Sequence, residues 1–343
     1  MWDNSPFPMP DGAKITGRRG DQYKVSVSMP FDPDGFYGRQ CPECSMLFRV
    51  NADDYEALPE GLQLWCVYCG HNADHTEFWT DQQRERAMEA ARALGAQIVH
   101  QGFTRMLRKS RSTARRGQVS ISFRNRPPYP RPLPGIDEER LARTRTCAGC
   151  EIRYGVFGEH RYCPVCGRLP AATVAFDALQ AETARLDALA SLHDETKAVL
   201  REQGVFTRSW VDAVENVVGV VEALGSSVFH ERVTDSEERL RGKGSVFQRL
   251  DDMADLFVSA GCPDVRALVG PSTWNRLTRT WAARHVFTHN DGVVDERYLR
   301  RVPGARTSLG QRLVISEAEC REAIADATAL CRALVDLGPS PAP

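Results

Sequence analysis

The sequence of 343 residues has no long apolar run, no secretory signal and almost no net charge. No apolar run reaches the ~18 residues that a membrane-spanning helix needs, so we expect neither a transmembrane protein nor a membrane partner. The first ten residues contain neither a basic nor an apolar segment, which indicates no secretory signal and predicts a cytoplasmic location. The formal net charge of −1 provides no overall positive field that would mark a nucleic-acid binder.

Three kinds of catalytic motif are also absent. The sequence contains no glycine-rich phosphate loop, no G-x-S-x-G turn and no cluster of carboxylates. These absences count against nucleotide-binding enzymes and serine hydrolases, and no organic cofactor is expected. Hydrophobic residues make up 42% and charged residues 26%, as in ordinary globular proteins, and the length suits two or three domains.

Cysteine, by contrast, is abundant and regularly placed. Eight of the eleven cysteines form four C-x-x-C pairs, which group into two sets with 21 and 12 intervening residues. The candidate ligands are Cys41, Cys44, Cys66 and Cys69 in the first set and Cys147, Cys150, Cys163 and Cys166 in the second. Cys262, Cys320 and Cys331 have no such partner, and we expect Cys320 and Cys331, which lie on one face of a predicted helix, to be small core residues.

Paired C-x-x-C motifs at these spacings predict two tetrahedral Cys₄ zinc sites of the zinc-ribbon type. Two residues between cysteines allow one tight turn to aim both sulfurs at one ion. Four thiolates saturate the metal, so both Zn²⁺ ions should be structural and each ribbon should fold only with its metal. The alternatives are redox chemistry of the pairs and a substitute ligand, His71, in the first site.

Hydrophobic periodicity and turn residues predict how the chain is organised. Periodicity predicts helices over 80–108, 210–229, 245–260, 272–288 and 317–337, and alternation predicts a strand over 117–124. The last helix starts with a capping box formed by Ser316 and Glu319. The predicted segments are 1–79 with the first ribbon, 80–139 with a helix, basic stretch and proline-rich linker, 140–170 with the second ribbon, a connecting amphipathic helix over 171–204, a helical domain over 205–338 and a disordered tail over 339–343. The expected fold class is multidomain, with two small β-rich zinc ribbons followed by an all-α bundle.

Charge is divided unevenly along the chain. Residues 1–170 carry 24 lysines and arginines against 20 acidic residues, whereas residues 171–343 carry 20 against 25. No acidic residue occurs between Glu89 and Asp137, and aromatic residues are interleaved with the arginines there. Guanidinium groups suit phosphates because their donors form a planar fork. The candidate nucleic-acid-binding residues are Arg105, Arg108, Lys109, Arg111, Arg115, Arg116, Arg124 and Arg126. A solvated arginine-rich face, or one docked on the acidic second half, would have the same composition.

The most informative segment ends the helix predicted over 272–288. At about 100° per residue, an apolar stripe that begins with Trp274 and Trp281 continues into Arg284, His285 and His289 on the same face. Charge on a buried face is costly unless it is paired or serves a site. Near the helix C-terminus the helix dipole favours an imidazolium.

The arginine and the second histidine carry a resemblance to a known family. Arg284, four intervening residues and His289 match the R-x(4–6)-H motif of the HEPN superfamily, and His285 fills the polar position that commonly follows the arginine. The segments 244–250, 289–295 and 310–316 also resemble HEPN sequences, so that the resemblance covers about residues 205–337. The resemblance implies a HEPN-like helical bundle in the second half of the chain.

HEPN domains usually dimerise, and many are metal-independent endoribonucleases of toxin–antitoxin, CRISPR-associated and antiphage defence systems. The resemblance implies a composite site between two copies, in which His289 handles a proton of the RNA 2′-hydroxyl or of the leaving 5′-oxygen. Arg284 would neutralise the scissile phosphate, and His285 would be supportive. The expected products carry 2′,3′-cyclic phosphate and 5′-hydroxyl ends. RNA, a second copy of the chain and a regulatory protein are the expected partners.

Other interpretations of the same residues stay open. Arg284 and His289 could pair with Asp291 or Asp295 and only fix the helix end, and His285 with His289 could bind a metal ion. Some HEPN domains are inactive. The rival to a ribonuclease is a non-catalytic module in which the ribbons bind nucleic acid or protein and the helical half only dimerises. A metal-dependent hydrolase is a third interpretation.

Overall fold

The computed structural model describes residues 7–20, 22–59, 61–112, 128–129, 131–136 and 143–337. The chain divides into two compact units, Met1–Arg168 and Leu169–Pro343. The described part of the first unit contains the strands β1 (Ala13–Arg19), β2 (Gln22–Val27), β3 (Phe36–Gln40), β4 (Leu47–Asn51), β5 (Gln63–Trp65), β6 (Asn72–Asp74), β7 (Arg143–Thr146), β8 (Arg153–Val156), β9 (Tyr162–Cys163) and β10 (Gly167–Arg168), and the helices α1 (Ala52–Glu56) and α2 (Asp81–Ser112).

The two cysteine-rich regions share one antiparallel sheet. The strands β3 and β4 belong to the first region, β7 and β8 belong to the second, and β4 pairs with β8, which gives the order β3-β4-β8-β7. In the central pairing Arg49 lies opposite Gly155, and Val50 lies opposite Tyr154. Phe48 and Val50 lie on one face of the sheet together with Tyr154, which is opposite Val50, and all three are buried. The spacing of the cysteines could not indicate this shared sheet.

The helix predicted over 80–108 is α2, which extends to Ser112. Its buried face includes Ala90 and Leu94, and Gly95 does not interrupt it. The strand predicted over 117–124 lies outside the described residues. The hairpin of β1 and β2 lies within the predicted segment 1–79, and β2 contacts α2.

The described part of the second unit is helical. It contains α3 (Ala171–Ala190), α4 (Asp194–Glu202), α5 (Val205–Arg232), α6 (Ser236–Leu240), α7 (Leu250–Ser259), α8 (Val265–Val269), α9 (Pro271–His289), α10 (Glu296–Arg301) and α11 (Glu317–Val335). Its core is formed by α3, α5, α7, α9 and α11, and Phe229, Phe257 and Leu277 are among its fully buried side chains. The fold-class prediction is thus confirmed at the coarse level of two β-rich cysteine regions followed by a helical half.

Two predicted helices differ from the structure. The single connecting helix expected over 171–204 is wrong, because the helix ends at Ala190 and α4 begins at Asp194. The first of the two helices, α3, packs against α5 and α11 as part of the bundle rather than as a connector. The helix expected over 245–260 starts with a short 3₁₀ turn, Val246–Gln248, before α7. The capping box of Ser316 and Glu319 is present at the start of α11.

The helix α9 carries the proposed site residues, and α11 anchors it. The Arg276 guanidinium donates to both carboxylate oxygens of the buried Asp326, with an Nη2–Oδ1 distance of 2.6 Å. Breaking a buried pair of this kind is costly because it leaves one charge without its partner. In the described residues, no helix combines the length and the apolar character that crossing a membrane requires.

Candidate functional site

The four sulfurs of each cysteine cluster lie close together. In the first cluster the Sγ atoms of Cys41 and Cys69 are 3.6 Å apart, as are those of Cys44 and Cys66. All four Sγ atoms of each cluster lie within 4.8 Å of one another, and the eleven cysteines are free thiols. The second cluster is similar, with separations of 3.4 Å between Cys147 and Cys166 and 3.5 Å between Cys150 and Cys163.

These separations fit one tetrahedral ion in each cluster. A disulfide would require about 2.05 Å between sulfurs. A Zn²⁺ ion with metal–sulfur bonds of about 2.3 Å places tetrahedral sulfurs about 3.8 Å apart, close to the distances observed. Burial raises the pKa of the Cys66 and Cys163 thiols, because a thiolate loses its hydration there. A cation between the sulfurs would offset that cost, so both clusters could hold a metal ion.

The two cysteine turns that follow β3 and β7 have the same backbone design. The amide of Cys41 donates to the carbonyl of Met46 at 3.1 Å, and that of Cys147 donates to Ile152 at 3.0 Å. Ser45 and Glu151 occupy the equivalent left-handed position, with φ of 59° and 61°. In the second cluster the amide of Gly149 also points to the Cys147 sulfur at 3.4 Å. Sequence spacing predicted such turns, and the structure places the cysteines of each set around one point.

The remaining turns of the two clusters contact each other reciprocally. The amide of Trp65 donates to the carbonyl of Pro164 at 2.9 Å, and the amide of Tyr162 donates to that of Val67 at 3.1 Å. The Trp65 and Tyr162 rings are parallel within 3°, with centroids 6.1 Å apart. The two cysteine clusters therefore belong to one body, joined by their turns, rather than to two independent ribbons.

A second candidate site lies at the C-terminal end of α9. Trp274, Leu277 and Trp281 are buried, as the apolar stripe predicted. Arg284 and His285 are half-buried, and His289 is exposed. The rings of His285 and His289 have centroids 4.8 Å apart. The structure thus brings the two histidine rings together near the end of α9, and it places Arg284 directly before His285 on the same helix.

A hydrogen-bonded turn fixes this helix end. The amide of Gly292, with φ of 76°, donates to the carbonyl of Val286 at 3.1 Å and closes the helix. The Asn290 Nδ2 donates to the Asp295 carboxylate at 2.7 Å, and the same carboxylate accepts from the amide of Tyr298 at the start of α10. These bonds lower the pKa of Asp295, so the charged form of its carboxylate is favoured at the turn.

The ring of His285 is held by an arginine from the next helix. The Arg297 Nη1 lies 3.2 Å from the His285 Nε2, and since a guanidinium only donates, this nitrogen accepts. Burial first, and then the charge of Arg297, lower the pKa of His285. His285 is therefore favoured as the neutral imidazole with its proton on Nδ1.

The acid pairs that could have explained the motif are not observed. Within the described part of the chain, neither Arg284 nor His289 forms a salt bridge or a side-chain hydrogen bond with a carboxylate. Asp295 is engaged by Asn290 and by α10 instead. Thr288, between the two histidines, donates to Glu215 of α5 at 3.0 Å. The described residues also place no third ligand with His285 and His289 in a group that could hold a metal ion.

The predicted basic surface is only partly described. Arg105 lies exposed on α2. Arg108, Lys109 and Arg111 belong to the last turns of α2. Arg115, Arg116, Arg124 and Arg126 lie outside the described residues. The described residues therefore do not test whether these eight residues form one surface.

Two functional candidates were not identified from the sequence. Arg297 contacts His285 across a turn, and no periodicity links residues of α9 and α10. Asp295 is a possible acid partner for the motif in the sequence, yet its carboxylate accepts a hydrogen bond from Asn290. The sequence does contain a signal for this hydrogen bond. An asparagine stands at the end of one helix, five residues before an aspartate at the N-cap of the next helix.

Comparisons with protein-family models, curated proteins and solved structures find no match to this chain. No relative therefore assigns an activity to either site.

Proposed function

We propose that this protein is an endoribonuclease that cuts RNA without a catalytic metal, with Arg284 and His289 in the active site of a HEPN-like domain. The observation that supports this most is the end of α9, where a half-buried arginine and an exposed histidine lie five residues apart in the last turns of the helix. Among the described residues, neither has an acidic partner. Charge placed on a helix face without a counter-charge suits an anionic ligand.

Arg284 supplies the charge that phosphate transfer needs. Attack on a phosphodiester builds negative charge on the non-bridging oxygens, and a guanidinium fork can hold two of them. An arginine already engaged by a carboxylate would have to give up that bond first. Arg284 has no such bond in the described residues, so it can bind phosphate at little cost.

His289 handles the proton. One imidazole nitrogen takes the proton of the 2′-hydroxyl as its oxygen attacks phosphorus, the bond from phosphorus to the 5′-oxygen breaks, and that oxygen receives a proton. The products are a 2′,3′-cyclic phosphate and a 5′-hydroxyl. Imidazole suits both transfers because it titrates near neutral pH. The HEPN resemblance supplies the second proton carrier, since two copies of His289 would meet in a dimer.

His285 and Arg297 support the site. The hydrogen bond from Arg297 holds the ring of His285, and His285 packs against His289. By holding the ring of His285 in place, Arg297 would also keep the neighbouring imidazole of His289 in position for proton transfer.

The cysteine clusters serve as structural zinc sites in this proposal. Four thiolates leave no open position on the metal, so the ions would supply stability rather than chemistry. The first unit would then bind RNA or a regulatory protein, and a role in defence or in a toxin–antitoxin pair follows from the HEPN resemblance.

The test is RNA cleavage by the zinc-loaded chain without added divalent metal. His289→Ala and Arg284→Gln should each lose at least about 100-fold in rate, the usual scale for removing an acid–base or charge-stabilising group. The matched controls are His193→Ala and Arg300→Gln, which alter exposed residues of the same unit that lie outside the motif. Both controls should cut at the parent rate.

Two results would overturn the proposal. If His289→Ala cuts as fast as the parent, the site is elsewhere. The second result is a parent chain that cuts neither structured nor single-stranded RNA, alone or with the regulatory partner co-purified from the native cell. The non-catalytic binding module is then the better account.

A further inference from the structure

The hairpin of β1 and β2 carries cations on its solvent face. Lys14 lies opposite Ser26, Gly17 lies opposite Lys24, and Arg19 lies opposite Gln22. Directly opposed residues of an antiparallel pair point to the same face, as do alternate residues of one strand. Lys14, Lys24 and Arg19 therefore share a face, and all three are exposed.

The other face of the hairpin fixes its orientation. Ile15, Val25 and Val27 are half-buried and point away from the cations. The strand β2 contacts α2, and the Arg86 Nε of α2 donates to the carbonyl of Ser28, just after β2, at 2.9 Å. The hairpin thus has an apolar face toward its own unit and a basic face toward solvent.

The basic face has no counter-charge among the described residues. Lys14, Arg19 and Lys24 form no salt bridge there, and the described residues of both strands include no acid. Asp21, between the strands, lies outside the described residues. Other arginines of the same unit do lie beside carboxylates: Arg49, Arg84, Arg92 and Arg153 pair with Asp32, Asp81, Glu89 and Asp54.

Two neighbouring side chains can donate hydrogen bonds to a ligand. Gln22 and Ser26 are exposed on the same face as the cations, whereas the Thr16 hydroxyl donates to the Lys24 carbonyl at 3.3 Å. Hydroxyl and amide groups commonly bond phosphate and sugar oxygens. Near the turn, Arg18 lies over the Tyr23 ring, 5.1 Å from its centroid, so it belongs to the opposite face.

We infer that the hairpin of β1 and β2 binds the phosphodiester backbone of RNA through Lys14, Arg19 and Lys24. Neither the residues nor their spacing favour contacts with particular bases, so the interaction is expected to be sequence-independent. The inference rests on the proposed function only for the choice of RNA over DNA. It adds a substrate-holding surface that is separate in the chain from the basic stretch after Glu89.

The experiment measures binding of a fluorescein-labelled single-stranded RNA to the full chain by anisotropy, at several salt concentrations, in the His289→Ala background. The test variant combines Lys14→Gln, Arg19→Gln and Lys24→Gln. The control removes the same three charges from exposed positions of the helical unit, as Arg241→Gln, Lys243→Gln and Arg306→Gln. Zinc content and circular dichroism confirm that both variants are folded.

The test variant should bind about tenfold or more weakly at low salt, and the slope of log affinity against log salt should fall by about 2, as expected for three lost phosphate contacts on a single strand. The control should keep the parent slope. Equal slopes in the parent and the test variant would overturn the inference, as would tighter binding to vesicles of phosphatidylserine than to RNA.

The outcome is separable from that of the proposed function. If the parent binds RNA through the hairpin but never cuts it, the inference stands and the ribonuclease proposal fails. A DNA strand of the same sequence gives the second separation, because equal loss on DNA and RNA assigns the surface to phosphodiesters in general. If the parent cuts RNA and the hairpin variant keeps both its slope and its KM, the inference alone fails.

Discussion

At the end of α9 the decisive residues are an arginine and two imidazoles. Arg284 and His289 lie five residues apart, or about 1.4 turns, and the described residues give neither of them an acidic partner. Because an isolated charge on a partly buried face is costly, the arrangement fits a site that binds an anion. His285 differs from both, since its ring accepts a hydrogen bond from Arg297.

Replacing Arg297 should change the titration of His285. Arg297→Gln removes a nearby positive charge that lowers the pKa of His285, so this pKa should rise. It should remain below its ordinary value, because burial is the larger cause. Histidine proton shifts in an NMR titration measure the change, with Arg300→Gln as the control. A pKa of His285 that stays the same in Arg297→Gln would show that this hydrogen bond does not form.

Removing Asp295 should destabilise the turn that supports the site. The carboxylate caps α10 and accepts from Asn290, so Asp295→Ala should lower the free energy of unfolding by about 1 kcal/mol at neutral pH. The pKa of Asp295 is lowered in the folded chain, so its stabilisation is present above the ordinary carboxyl pKa and disappears as pH falls through the folded value.

Urea unfolding of Asp295→Ala at neutral and at acidic pH measures this loss. Glu296→Ala, at the next and exposed position, is the control and should change stability by less than about 0.5 kcal/mol. An equal loss in the two variants at neutral pH would contradict the capping role.

The sequence located these residues only in part. Arg284, His285 and His289 could be placed on one face because helical geometry is local. Arg297 could not, because its contact depends on the path of the chain through the turn after Asn290. That path is set by the left-handed Asp291 and Gly292, whose conformations a periodic pattern does not contain.

At the scale of elements, the shared sheet and its crossed turns join the two cysteine clusters. Gly70 and Gly167 occupy equivalent positions after the last cysteine of each cluster, with φ of 78° and 82°. A Cβ atom at Gly70 would lie 2.4 Å from the Tyr162 ring, and one at Gly167 would lie 3.2 Å from Trp65. Each glycine therefore makes room for an aromatic ring of the other cluster.

Gly70→Ala should weaken the joint between the clusters. It imposes both a left-handed conformation on alanine and a clash with a ring that is already stacked on Trp65. Gly61→Ala is a matched control, because Gly61 has φ of 80° and nothing within 4 Å of its Cβ position. The control isolates the backbone cost of about 1–2 kcal/mol.

Thermal unfolding followed by a zinc-release dye compares the two glycine variants. Gly70→Ala should release metal at a clearly lower temperature than Gly61→Ala. Equal release temperatures would show that the Tyr162 contact adds nothing to the backbone cost.

Helix boundaries are predicted correctly where capping residues and periodicity agree, and wrongly where periodicity is used without the capping and helix-start residues. The capping box at Ser316 correctly marked the start of α11. Hydrophobic periodicity alone predicts a connecting helix that continues through His193, but a helix-start signal follows that residue. Asp194 and Glu195 occupy the first turn of α4, where acidic residues favour the helix N-terminus, so a new helix begins there.

At the scale of the whole molecule, the two units have separate cores and should respond differently to metal removal. Stripping metal with a strong chelator should raise hydrogen–deuterium exchange in β3, β4, β7 and β8, because four thiols cannot hold the turns of each cluster together without an ion. Exchange in α5 and α11 should be unchanged, since their apolar core contains no cysteine cluster.

A single-site change tests the coupling between the clusters. Cys69→Ser disrupts the first cluster alone, but it should also raise exchange in β7 and β8, because β4 pairs with β8. Cys262→Ser, which changes a buried cysteine of the helical unit, is the control. Exchange confined to β3 and β4 in Cys69→Ser would mean that the two clusters are independent.

The most direct test of the central claim is the chemistry of the RNA ends. Mass spectrometry of the products, after incubation with the zinc-loaded chain and no added divalent metal, identifies the nucleophile. Attack by the 2′-hydroxyl predicts 2′,3′-cyclic phosphate and 5′-hydroxyl ends, and it predicts that a 2′-deoxy substitution at the cleaved position stops the reaction. Products with 5′-phosphate ends, or cutting of the deoxy substrate, would contradict the roles assigned to Arg284 and His289.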